Sequence, residues 1–190
     1  MKYTKEELNL EKGLKTEWII TNGIGGYASS TIIGANTRKY HGLLVAALTP
    51  PARRHVLLSK LDEAITIGEN QYPLYTNVCK NYISEGYKSQ ISFEKDVIPT
   101  FTYEIGGILI TKQIVMEYGK NTVCILYTIK NSEKDIKLIL SPVMNFRDFH
   151  TMKTNHEFKV HEKIEDRKVR VTIDDNKVTP IYIYTNEGNY

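Results

Sequence analysis

The run from Ile98 to Leu140 constrains the fold more than any other part of the chain. Phe101, Tyr103 and Ile105 alternate with Thr and Glu, Gly106-Gly107 follows, and Ile108 to Met116 resumes the apolar–polar alternation. Tyr118-Gly-Lys-Asn then leads into Thr122 to Lys130, and Asn131-Ser-Glu-Lys-Asp leads into Ile136 to Leu140. Successive side chains of a strand point to opposite faces, so this alternation gives each strand one apolar and one wetter face. Short turns rich in Gly and Asn join antiparallel neighbours. The pattern predicts a meander of long antiparallel strands with one face buried against a second layer.

The remainder repeats the theme. Ile65-Thr-Ile and Tyr72-Pro-Leu flank Gly68-Glu-Asn-Gln as a hairpin. Phe158 to Glu162, Val169 to Ile173 and Val178 to Tyr184 read as strands turned at Glu165-Asp-Arg and Asp174-Asp-Asn-Lys. Helix is expected only at Thr4 to Leu10, where Thr4 caps and Glu6 and Glu7 sit at the positive end. There is no internal repeat, low-complexity stretch or linker, and 190 residues suffice for one substantial core. The expectation is one all-β domain over 1–190, a two-sheet antiparallel β-sandwich with little helix.

Charge and composition narrow the partners. The net charge is +3 with acids and bases interleaved, against the clustered Lys and Arg of a nucleic-acid footprint. Lys163 to Arg170 is the most basic stretch, but acids interrupt it, and it reads as the solvated turn and outer face of a hairpin. The N-terminus has no apolar signal core and no apolar run is long enough to span a bilayer, so a cytoplasmic, reducing setting is expected. Cys79 and Cys124 lie in strand-like segments and are expected to be buried free thiols, with a disulfide between them left open.

Two polar–aromatic blocks stand out between the apolar runs. The first is Thr21-Asn-Gly-Ile-Gly-Gly-Tyr27-Ala-Ser-Ser with Asn36-Thr-Arg38-Lys-Tyr40-His41-Gly42. A nucleotide loop would need a helix after the glycines, whereas Tyr27-Ala-Ser-Ser-Thr-Ile-Ile is β-like, so a turn or bulge between strands is the plainer reading. Read as a strand, Arg38 and Tyr40 share a face, and Lys39 and His41 share the other. Arg38 beside Tyr40 suits a sugar, whose ring offers apolar C–H faces edged with hydroxyls. The alternative is that Arg38 pairs with an acid to tie strands and His41 is a satisfied core histidine. The second block is Asn145-Phe-Arg147-Asp148-Phe-His150, where Arg147 and Asp148 bracket hydroxyls as donor and acceptor or form a simple ion pair. The two blocks are expected on one rim.

Complete chemistry is not visible. Asp62 and Glu63 are adjacent and point to opposite faces of a strand, a poor arrangement for two carboxylates flanking a glycosidic bond. No nucleophile elbow is present. His41, His55, His150, His156 and His161 lack metal-ligand spacing, although His150 and His156 flank one loop. No metal and no cofactor are expected.

The chain resembles the N-terminal domain of the bacterial and archaeal type of glycogen debranching enzyme (amylo-alpha-1,6-glucosidase). The resemblance rests on Glu17-Trp18, Thr21-Asn-Gly-Ile-Gly-Gly-Tyr-Ala-Ser29, Asn36-Thr-Arg-Lys-Tyr-His-Gly-Leu-Leu44, Val56 to Glu63 and, more loosely, Asn145 to His150. It implies a large sandwich of the supersandwich, galactose-mutarotase-like type. It also implies an α-glucan substrate such as glycogen or a maltooligosaccharide, with catalytic carboxylates in a separate helical (α/α)6 barrel as the domain's partner. Tyr27, Arg38, Tyr40, His41, Arg147, Asp148 and His150 would then be substrate-binding residues, with no catalytic residue here. The chain stops before any such barrel, which suggests a truncated or divergent stand-alone protein. A separate carbohydrate-binding module and a purely structural docking or oligomerisation domain are the alternatives.

Overall fold

A computed structural model describes residues 1–130, 135–152, 158–174 and 179–190. The turns expected at 131–135 and 174–177 lie largely outside these residues, and His156 lies wholly outside them. The chain divides into two compact units, Met1–His150 and Thr151–Tyr190.

In chain order the strands of the first unit are β1 (Lys2–Thr4), β2 (Glu17–Thr21), β3 (Tyr27–Thr31), β4 (Gly42–Thr49), β5 (Ala52–Ile67), β6 (Asn70–Pro73), β7 (Val78–Cys79), β8 (Tyr82–Ile83), β9 (Gln90–Lys95), β10 (Pro99–Ile105), β11 (Ile108–Met116), β12 (Val123–Lys130) and β13 (Ile136–Asp148). One antiparallel sheet has the order β1-β9-β10-β11-β12. The other has the order β13-β5-β4-β3-β2, with β6 also paired to β5. Their facing sides form a β-sandwich, and β7 and β8 make a separate small hairpin.

The meander forms as its alternation requires. Phe101, Tyr103 and Ile105 of β10 and Ile108, Ile110 and Ile114 of β11 are all buried, and of the residues between them only Lys112 is buried as well. Gly106 and Gly107 both take positive φ, +58° and +83°, the two-residue turn whose twist matches the flanking strands. Across the sandwich Trp18 of β2 meets the edge of Phe101 at 6.2 Å, and Phe93 lies 4.8 Å from Phe101. The Trp18 indole donates to the Thr31 carbonyl at 3.1 Å, so its burial leaves no orphan donor.

Three expectations are corrected. Lys5–Glu7 is only a 3-10 turn, with the Thr4 amide donating to Glu7 at 3.1 Å, and the α-helix α1 is Leu10–Lys15, opened by Asn9 accepting from the Lys12 amide at 2.9 Å. Gly13 hid it, because glycine weakens any helical signal. The glycine is needed, since a Cβ there would lie 2.7 Å from Ile33 Cγ2. Strand β13 does not end at Leu140 but runs to Asp148, with register shifts after Val143 and Met144 that break strict alternation. Cys79 and Cys124 are free, as expected, but exposed: Cys124 lies on the outward side of β12 and Cys79 on the small hairpin.

The second unit is a three-stranded antiparallel sheet of β14 (Val160–Glu165), β15 (Lys168–Ile173) and β16 (Ile181–Tyr184), in that order, with Val169, Val171 and Ile181 buried. The basic stretch forms its first hairpin, where Glu165 meets Lys163 at 2.5 Å and Lys168 at 2.9 Å. No helix among the described residues is long and apolar enough to cross a membrane.

Candidate functional site

The glycine block is a turn between β2 and β3, as the plainer reading had it. Asn22 is fully buried, and its Oδ1 accepts from the amides of Ile24 at 3.2 Å and Gly26 at 2.8 Å. Its Nδ2 donates to the Lys120 carbonyl at 2.9 Å and to Asn121 Oδ1 at 3.2 Å. Asn121 in turn exchanges two bonds with the main chain of Ala47, at 3.0 and 2.9 Å. Two asparagines thus lock the glycine turn, β4 and the β11–β12 turn together. Gly25 has φ +98°, and a Cβ would stand 2.5 Å from the Pro51 carbonyl oxygen, so no other residue fits. Strand β3 follows the glycines, so they do not cap a helix that could hold a phosphate.

Beside this turn the two polar–aromatic blocks meet. The Lys39 ammonium donates to the His150 carbonyl at 2.8 Å, and the Tyr40 hydroxyl lies 3.3 Å from His150 Nδ1. The Tyr40 ring is 5.5 Å from Phe149 and 5.8 Å from His150, whose ring stands edge-on to it. The Arg147 guanidinium donates to the carbonyls of Lys39, Asp148 and Phe149. Asp148 Oδ1 accepts the His150 amide at 2.9 Å. The Tyr27 hydroxyl donates to the Tyr40 carbonyl at 2.8 Å, and burial pushes its phenol above the ordinary value, with Arg54 and Arg147 pulling the other way. Five of the seven residues marked in the sequence, Tyr27, Tyr40, Arg147, Asp148 and His150, therefore share one cluster. Tyr40 and His150 are its exposed members.

Arg38 and His41 are arranged differently from the strand reading. Residues 32–41 form a loop, so the facing rule does not apply and both side chains turn to Glu17. Arg38 Nε lies 2.5 Å from Glu17 Oε1, with the Arg38 side chain 65% exposed, and His41 Nε2 lies 3.5 Å from the same oxygen. His41 is buried, and its Nδ1 accepts the Thr37 amide at 3.0 Å, which fixes the tautomer with the proton on Nε2. Arg38 thus pairs with an acid, while the buried His41 Nε2 makes no hydrogen bond among the described residues beyond this approach to Glu17.

Burial lowers the His41 pKa, and the nearby Glu17 only partly opposes it. The unfolded chain therefore binds the proton more readily. The stability that neutral His41 contributes is fully present above about pH 6.5 and is lost as pH falls through the lower folded value. In urea titrations the unfolding midpoint should drop between pH 7 and pH 5 more in the native chain than in His41→Gln, whose amide oxygen can still accept from Thr37. Equal drops in both would remove His41 as the source.

The two adjacent carboxylates of β5 are both engaged by side chains. Glu63 is buried and accepts from the Lys112 ammonium and, at 2.8 Å, from the Tyr127 hydroxyl. Asp62 meets Lys60 at 2.9 Å and accepts from Asn77 Nδ2 at 2.9 Å. Among the described residues no three His, Cys, Asp or Glu side chains gather as metal ligands would.

Lys39, Arg54 and Phe149 join the cluster without having been marked in the sequence. Arg54 donates to the Gly25 carbonyl at 2.6 Å and its guanidinium lies 5.4 Å from the Phe149 ring. Nothing in Ala52-Arg-Arg-His distinguishes Arg54 from a solvated neighbour of Arg53.

No curated protein and no solved structure matches the chain. A family model, glycogen debranching enzyme N terminal, matches residues 16–190 and so covers both compact units and every residue of the cluster. The chain belongs to the glycogen debranching enzyme N-terminal family.

Proposed function

We propose that residues 1–190 act as one N-terminal domain that presents the Tyr40–His150 rim to an α-glucan and packs on a catalytic domain that hydrolyses α-1,6 branch points. The observation that carries the glucan reading is the convergence of Lys39 and Tyr40 with Phe149 and His150, more than a hundred residues apart in sequence, through two polar contacts and two ring contacts. Exposed rings at right angles beside an ammonium and a guanidinium offer both an apolar face and hydroxyl partners, the combination a pyranose needs. Tyr40, His150 and Arg38 are the substrate contacts in this reading. Tyr27, His41, Arg147 and Asp148 hold them, because their polar atoms are engaged with the loop backbone. The commitment of Asp62 and Glu63 to buried partners fits catalytic acids supplied by another domain. For the packing surface, the β7–β8 hairpin offers Val78, Tyr82 and Ile83, which are 47%, 57% and 41% exposed.

Titration of the chain with maltoheptaose and with branched glucan tests the glucan reading. Tyr40→Ala should weaken binding about tenfold, the loss of one stacked aromatic contact and its polar tip, while the amide spectrum stays native. Unchanged affinity in Tyr40→Ala would remove the rim from the site. No binding at millimolar sugar would leave the domain a structural role alone.

A further inference from the structure

Tyr118 lies outside the rim and is not used by it. It stands at the β11–β12 turn and is 85% exposed, the most exposed large hydrophobic side chain among the described residues. It is not a loose ring. A Cβ built on Gly23 would lie 2.4 Å from Tyr118 Cε2 and 2.9 Å from Cδ2 and Cζ, so the ring rests on the glycine's backbone. Its turn is pinned by the Gly119 amide donating to the Asn22 carbonyl at 2.7 Å and by Asn22 donating to the Lys120 carbonyl at 2.9 Å. One side of the ring is seated and the rest faces solvent. A preoriented aromatic surface of this kind binds flat apolar ligand faces with little ordering cost.

The ring is also connected to the rim. From Gly23 the turn runs to Gly25, whose carbonyl accepts from Arg54, whose guanidinium lies on Phe149, which packs on Tyr40. Tyr118 stands at one end of this chain of contacts and the Tyr40–His150 pair at the other. We infer that Tyr118 is a second sugar platform, one that takes a more distant glucose unit of the same glucan chain and makes the domain read chain length. This rests on the rim reading above.

The experiment compares maltotriose, the shorter sugar and the one expected to occupy the rim alone, with maltoheptaose, by calorimetry on the native chain, Tyr118→Ala and Tyr118→Phe. The native chain should bind maltoheptaose about fivefold more tightly than maltotriose, the size expected of one additional aromatic contact. Tyr118→Ala should abolish that ratio and leave maltotriose affinity unchanged, and Tyr118→Phe should keep the ratio. A ratio of one in the native chain, or an unaltered ratio in Tyr118→Ala, overturns the second platform and leaves the rim standing. Binding of neither sugar overturns both.

Discussion

Lys112→Met should destabilise the chain by about 3–5 kcal/mol, the range for breaking a buried ion pair by removing one partner. Lys112 interrupts the apolar face of β11 between Ile110 and Ile114 and reaches across the sandwich to Glu63 of β5. Both side chains are nearly inaccessible, 9% and 3% exposed. Without the ammonium, Glu63 keeps among the described residues the Tyr127 hydroxyl, at 2.8 Å, and a carboxylate without a counter-charge is left between two sheets. Burial, and after it the Glu63 charge, holds Tyr103 and Tyr127 well above the ordinary tyrosine value, so both phenols stay protonated and neutral and supply no positive charge to replace the ammonium. The double replacement Lys112→Met with Glu63→Gln should recover most of the loss, because the amide oxygen still accepts from Tyr127 while both charges are gone. Denaturant unfolding of the two single variants and the double variant closes the cycle. Losses that simply add would show that the pair is not coupled and that Lys112 acts through its hydrocarbon stem.

That pair marks where the sequence is and is not informative. The strands of the meander are legible because period-two alternation depends only on which face is wet, and Phe101, Tyr103, Ile105, Ile108 and Ile110 obey it. Lys112 sits at an inward position of the same pattern, and its partner lies in the other sheet, a contact no local window contains. The rim behaves similarly. Its residue types are legible as polar–aromatic blocks, but the strand that would set Arg38 and His41 on defined faces does not form. The loop at 32–41 instead aims both at Glu17. Helix α1 was hidden by Gly13, a residue chosen for its contact with Ile33 and not for helix propensity.

Asn22→Ala should cost about 2–4 kcal/mol, because it leaves several buried polar groups without partners at once. The Asn22 amide accepts from two main-chain N–H groups and donates to one carbonyl and one asparagine oxygen. Losing the side chain strands the Gly26 amide, whose surroundings exclude water, and frees Asn121 from the glycine turn while it still holds Ala47. Asn22→Asp separates the two halves of this role. It keeps an acceptor for Ile24 and Gly26 but sets a carboxylate against the Lys120 carbonyl and Asn121 Oδ1, so it should be no better than alanine at neutral pH. Acid should ease the deficit, since the protonated group regains one O–H donor. Hydrogen exchange gives the local readout: the amides of Gly26 and Gly119 should lose protection in Asn22→Ala, while those of β10 and β11 fall only with global stability. Retained protection at Gly26 would mean that the turn is held by Gly25 against Pro51 and not by Asn22. Because the same turn seats the Tyr118 ring, Asn22→Ala should also erase the chain-length preference for maltoheptaose while Tyr40 and His150 stay in place. The glycine block would then serve fold and binding through one buried amide.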